Sequence, residues 1–286
     1  MRQRFGPEEI GEELLHRPRI CIIVPHPDDL DILVGHTVQS FIKVGFRVFE
    51  LLMTGGEYGI ANRFTDTGDR LKGKWLQRVR IRENTASKLT YGTFEDGLPK
   101  VITIPMGYID GYVPFNARSV AFLKNTIRKI NPAAVIGPDP VFSIDWHRDH
   151  MATARNMYCA MQRLLDEKAS IRHYWVFQSF QPQRMWPFES WDLFIRACVA
   201  HRSQMTPLGT KLLAGFFRCW KKILYNNRQS LREIHLKDLR AKKDQREFTR
   251  VWQKIIYVLL KGTNQSNRLY EPTPTELGLS EKIEID

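Results

Sequence analysis

Short apolar runs alternate with longer segments of mixed polarity over the first two hundred residues. RICIIV (19–24), bounded by Pro18 and Pro25, is a continuous apolar run of the kind that forms a strand buried on both faces. FRVFELLM (46–53) repeats the pattern and ends at Gly55-Gly56. VITI (101–104), AAVIG (133–137, stopped by Pro138 and Pro140) and HYWVFQ (173–178) continue it. Residues 36–44, 70–90, 115–130, 147–166 and 190–204 read as helical. Strands alternating with helices predict an α/β fold, with a Rossmann-like, mostly parallel sheet and helices on both faces. In such sheets ligands bind beyond the carboxyl ends of the strands.

The pattern changes near residue 205. KLLAGFFRCWKKILY (211–225) places Leu213, Phe216, Phe217, Trp220, Ile223 and Leu224 at helix-like spacing among Lys211, Arg218, Lys221 and Lys222. TRVWQKIIYVLL (249–260) is a second apolar segment, and the charged stretch between them, 228–246, is expected to be helical. The chain thus divides into a first domain, 1–205, and a basic amphipathic helical C-terminal extension with a loose acidic tail, 206–286.

Charge sharpens this division. The 286 residues carry a formal net charge of +12, yet residues 211–254 alone hold 13 Lys/Arg against 4 Asp/Glu. Basic amphipathic helices can lie on anionic membranes. The same apolar faces could pack on the first domain or on another subunit. Peripheral membrane contact through 211–260 and homo-oligomer formation therefore both stay open. The first eighteen residues hold no apolar core of signal-peptide length, and no apolar run reaches the roughly 18 residues needed to span a bilayer. Cys21, Cys159, Cys198 and Cys219 are scattered, which fits a reducing compartment and excludes a cysteine-built zinc site. The expected location is cytoplasmic, with the inner face of the membrane as the place of any peripheral contact. No finger spacing or RNA-binding aromatic signature is present, and no nucleic-acid partner is expected. GGEYG (55–59) is not a dinucleotide fingerprint.

The sharpest local feature is Pro25-His26-Pro27-Asp28-Asp29, directly after the first strand. His26 and Asp29 are suitable zinc ligands, and Asp28 between them could stay free to act as a base. The tetrad alone is equally a turn whose Asp side chains cap the next helix. Trp146-His147-Arg148-Asp149-His150 shifts the balance. It follows the 133–137 strand, and in a helix beginning at 147 both histidines share one face. Catalytic zinc takes three protein ligands and keeps a position for water, so His26, Asp29 and one of this pair complete a set. Isolated His-x-x-His pairs are common on surfaces; two such clusters at one edge of a sheet are not.

In this order the motifs resemble those of the LmbE/PIG-L group of zinc-dependent N-deacetylases. They are His26-Pro27-Asp28-Asp29, Gly35-His36-Thr37, Thr54-Gly55-Gly56-Glu57-Tyr58-Gly59, Arg80-x-x-Glu83, Asp110-Gly111, His147-x-x-His150 and His201-Arg202-Ser203-Gln204, over about residues 19–205. The resemblance implies His26, Asp29 and His150 as ligands of Zn2+ and Asp28 as general base. It places a protonated His147 beside the metal, stabilising the oxyanion. It also implies that Glu57, Arg80 and Asp110 hold a sugar, although Arg80 and Glu83 could instead form a surface pair and Asp110 could be a turn residue. His201 is read as structural. Leu30 stands where the group commonly has an acidic residue. His36 stands in place of a glycine, either lining the pocket or capping a helix. The implied activity is hydrolysis of the N-acetyl group of an N-acetylglucosamine-containing glycoconjugate, lipid-linked sugar or chitooligosaccharide, releasing acetate. The competing readings are a basic nucleic-acid-binding protein on the same scaffold and a metal-binding regulator without turnover.

Overall fold

The structure is a computed structural model. It describes residues 4–59, 73–143, 145, 147–179, 184–187, 189–206, 208–212, 214–216, 219 and 228–240. Strands β1 (Arg19–Val24), β2 (Arg47–Thr54), β3 (Val101–Tyr108), β4 (Ala134–Pro138) and β5 (His173–Phe177) pair in parallel. With β6 (Arg184–Pro187) and β7 (Arg228–Glu233) they form a seven-stranded sheet of order 3-2-1-4-5-7-6. Its principal helices are α2 (Asp29–Lys43), α3 (Lys74–Leu89), α4 (Ala117–Ile130), α5 (Arg148–Asp166) and α6 (Trp191–Val199). Short helices precede β1 (α1, Glu12–Leu15) and follow β7 (α7, Leu236–Arg240).

The apolar runs read as buried strands because successive side chains enter two separate cores. Ile20, Ile22 and Val24 of β1 pack with Leu30, Val34 and Val38 of α2 on one face. Cys21 and Ile23 pack on the other, among residues of α4 and α5 such as Leu123, Ile127, Met157 and Met161. Both faces of the sheet are therefore covered, as expected. Leu30 is fully buried in the first of these cores, which accounts for an apolar residue at that position. His36 does not cap a helix. It lies mid-way along α2, stacked on Phe194 of α6 at 4.7 Å and edge-on to Trp191.

One expectation fails. Residues 228–246 do not form a single helix, because 228–233 is a strand. β7 runs antiparallel to β5, with Val176 opposite Arg232, and antiparallel to β6 on its other side. RQSLRE carries one aliphatic residue, so its stabilisation comes from specific polar partners. Arg232 makes a two-pronged contact with Asp139 at 2.7 and 2.8 Å, a geometry suited to guanidinium and carboxylate. Gln229 Oε1 accepts from the Thr37 amide and hydroxyl at 2.9 and 3.1 Å. The rest of the amphipathic stretch 211–260, and with it the choice between membrane contact and packing on protein, lies mainly outside the described residues. Among the described residues no helix is long and apolar enough to cross a membrane.

The order of the strands locates the site. From β1 the chain moves to β2 and β3 on one side, then crosses to β4 on the other. The carboxyl ends of β1 and β4 therefore flank the point where the winding reverses, where α/β sheets leave a crevice. His26-Pro27-Asp28-Asp29 follows β1, and the loop that follows β4 leads to His147 and His150.

Candidate metal centre and active site

β1 delivers the His26–Asp29 turn, and α2 starts within it. Asp28 occupies the N-cap position of α2 but makes no side-chain cap bond, so a capping role does not account for this carboxylate. Asp29 folds back, and its Oδ2 accepts from the His26 amide at 2.9 Å. His147 is the N-cap of α5; its Nδ1 accepts from the Asp149 amide at 3.2 Å. His150 lies in the first turn of α5.

These elements bring three donor atoms into a nearly equilateral triangle. His26 Nδ1 lies 3.2 Å from Asp29 Oδ2, His150 Nε2 lies 3.3 Å from the same oxygen, and the two nitrogens are 3.3 Å apart. Ligands at about 2.0–2.2 Å from a tetrahedral zinc stand about 3.3–3.6 Å from one another. The donor set therefore fits one such ion. The His147 ring joins them, 4.8 Å from that of His26 and 5.5 Å from that of His150.

Outer carboxylates brace both imidazoles from behind. His26 Nε2 lies 3.2 Å from Asp110 Oδ1 and 3.4 Å from Asp149 Oδ2. Those carboxylates could form a second cation group with His26, but backbone amides already engage them. Asp149 accepts from Gly111 and Val113, and Asp110 from Tyr58. They act as partners that fix the ring and its tautomer. His150 Nδ1 likewise faces Asp145 Oδ2 at 2.9 Å.

Burial opposes charge on both rings, but the neighbouring carboxylates outweigh it. His26 is raised well above its ordinary value, and His150 is pushed up to about 10. Burial, with the charges of His26 and His150, lowers His147 instead. Because its Nδ1 accepts from Asp149, its proton sits on Nε2, where it can still donate.

The remaining expected residues gather around Asp28. Arg80 does not form a surface pair with Glu83: it is buried, and its Nη2 donates to Asp28 Oδ1 at 2.6 Å while its Nη1 donates to the Gly56 carbonyl at 3.1 Å. Glu83 accepts from the Ser203 amide and hydroxyl at 2.7 and 2.6 Å. The glycines of the 54–59 loop make room for this arrangement, since a Cβ on Gly56 or Gly59 would overlap Arg80 Nη1. Gly56 also has φ +71°, which favours glycine. Asp110 is more than a turn residue; by holding His26 and the Tyr58 amide it ties the two loops together. Glu57 is buried, and its Oε2 has no hydrogen-bond partner among the described residues, the condition of an acceptor awaiting a ligand.

His201 is structural, as read. Its Nε2 lies 2.8 Å from Asp31 Oδ2, in a buried network with Ser87, Lys88 and Tyr91. Sequence reading missed Asp145, Asp149 and Asn84, whose Nδ2 donates to the Pro27 carbonyl at 2.7 Å. Asp149 lies inside the His-x-x-His motif and was legible in principle. Asn84 shows only as a buried amide on a charged helix.

Residues 21–161 match the family model described as GlcNAc-PI de-N-acetylase, PIG-L. A diacetylchitobiose deacetylase of Thermococcus kodakarensis is 28% identical over 142 residues, covering 50% of this chain and 48% of that protein. The chain thus spans about half the length of this curated relative. The solved N,N'-diacetylchitobiose deacetylase from Pyrococcus horikoshii superimposes with a TM-score of 0.65 at 21% identity, covering 78% of this chain and 86% of that one. The 4-carboxy-2-hydroxymuconate hydratase from Pseudomonas putida KT2440 also superimposes, with a TM-score of 0.59 at 12% identity over 76% of this chain and 96% of that one. Such likeness shows the fold alone, and one fold hosts different chemistries. The ordered motifs, the matched segment and the winding of the sheet agree: residues 21–161 form a PIG-L family domain.

Proposed function

We propose that the protein is a zinc-dependent N-deacetylase that hydrolyses the acetamide of an N-acetylglucosamine-containing substrate. The observation that carries this reading is the 3.2–3.3 Å triangle of His26, Asp29 and His150, with the Asp28 carboxylate of the same turn held by Arg80. The deacetylases among its relatives support the same reaction class.

His26, Asp29 and His150 would hold the ion. When bound, zinc supplies a water whose pKa falls from about 15.7 to roughly 7 and an electrophilic partner for the amide carbonyl. Asp28 takes the proton of the attacking water and later returns it to the leaving nitrogen. Arg80 keeps the Asp28 carboxylate oriented for the first of these transfers. The Nε2–H of His147 donates to the carbonyl oxygen as it gains negative charge. The unpartnered Glu57 oxygen accepts from sugar hydroxyls, and Arg80 and Asp110 hold the backbone on either side of it. The products are acetate and a free amino sugar.

The test combines metal analysis with a deacetylation screen over N-acetylglucosamine, its chitooligomers and its inositol conjugate. The expected result is one equivalent of acetate per new amine, lost on chelation and restored by zinc. No acetate from any of these compounds would sink the reading. In parallel, His26→Ala is expected to lose both zinc and activity. Full zinc occupancy in that variant would remove His26 from the ligand set.

A further inference from the structure

We propose that Gln178 is a positioning residue for the metal ligand His150, holding its ring in the tautomer and orientation that present Nε2 to the ion. This inference rests on the metal-centre reading above. His150 turns Nε2 towards Asp29 and His26, so its orientation must be set through the other ring nitrogen. There Nδ1 meets two acceptors, Asp145 Oδ2 at 2.9 Å and Gln178 Oε1 at 3.2 Å. A proton held on Nδ1 by this pair leaves the Nε2 lone pair free for coordination.

The orientation of the Gln178 amide is fixed by the same neighbours. Its Nε2 donates to Asp145 Oδ2 at 3.1 Å while its Oε1 faces the imidazole. Turning the amide over would set its NH2 against the Nδ1–H and its oxygen against the carboxylate. Asp145 is itself anchored, its Oδ1 accepting from the His147 amide at 2.7 Å. Gln178 thus closes a ring of contacts joining the end of β5 to the loop after β4.

The backbone supplies an independent sign. Gln178 has φ +53°, a left-handed conformation that a residue with a side chain adopts at a cost and glycine adopts freely. It follows directly on β5, at the carboxyl edge of the sheet. Strain of this kind persists where surrounding contacts over-determine it. Here those contacts are the bonds of its own side chain to Asp145 and His150.

The experiment uses the full chain with Gln178→Met and Gln178→Gly. Zinc affinity is read by competition with a chromophoric chelator, and thermal unfolding is read after exhaustive chelation. Both variants are expected to bind zinc about 10- to 100-fold more weakly, the usual effect of losing a partner behind a metal-bound histidine. Gln178→Gly should unfold, once chelated, at or above the parent temperature, because glycine accepts φ +53° without strain. Unchanged zinc affinity in both variants overturns the proposal. So does an affinity loss in Gln178→Gly accompanied by a lower unfolding temperature of the chelated protein, which would mark a purely structural role. A parent chain that binds no zinc would overturn the metal-centre reading and this inference with it, an outcome visible before either variant is made.

Discussion

Asp28→Asn is expected to lower kcat by about 10²–10⁴-fold, the range that a positioned general base contributes, with zinc content unchanged. Asparagine keeps the shape and one acceptor oxygen for Arg80, whose Nη2 stands 2.6 Å from Asp28 Oδ1. What it removes is the capacity to take a proton from water and return it to nitrogen. Alanine would be a poorer probe, because it leaves a buried guanidinium without its anion, which is costly in its own right. Acetate release under saturating substrate, measured beside metal content, separates the two functions. Turnover at the parent rate would exclude Asp28 as the base, whereas parallel loss of zinc and rate would recast it as a ligand.

Lys88→Met should lower folding stability by about 3–5 kcal/mol, the usual cost of breaking a buried charge pair from one side. Lys88 is fully buried on α3 and lies 2.8 Å from Asp31 and 3.3 Å from Glu50, both also fully buried. Without the ammonium, two carboxylates would face one another, left to Ser87, Tyr91, His201, Asn84 and Thr103. A lysine on an exposed helical face would change stability by less than about 0.5 kcal/mol. The urea midpoint therefore decides between the two situations, provided the slope is unchanged. The consequence reaches the site, because Asn84 joins this network to the Pro27 carbonyl in the turn that presents Asp28.

The comparison of sequence and structure divides along the range of the forces involved. RICIIV could be read as a strand because burial on both faces leaves a local trace, six residues without an alternating polar position. His26, Asp29, His147 and His150 could be read because rigid turns and helical spacing constrain where short side chains can meet. Lys88 could not. On a helix of many charges, nothing local separates the lysine that pairs with Glu50 and Asp31 from one that faces water. β7 was illegible for a related reason. RQSLRE lacks both periodicities, and its place in the sheet depends on Asp139 and Thr37, 93 and 192 positions away in sequence.

The position of β7 bears on how the polypeptide can be divided. The boundary suggested near 205 by composition coincides with no boundary in the sheet, because β7 lies between β5 and β6. A chain ended at 206 would not be a trimmed enzyme. It would expose the flank of β5, with a row of unpaired N–H and C=O groups open to a neighbouring molecule, the usual start of edge-to-edge aggregation. It would also strand Asp139, fully buried at the end of β4, without the guanidinium of Arg232. Part of the basic stretch that looks like an appendage is therefore a closing stave of the domain itself.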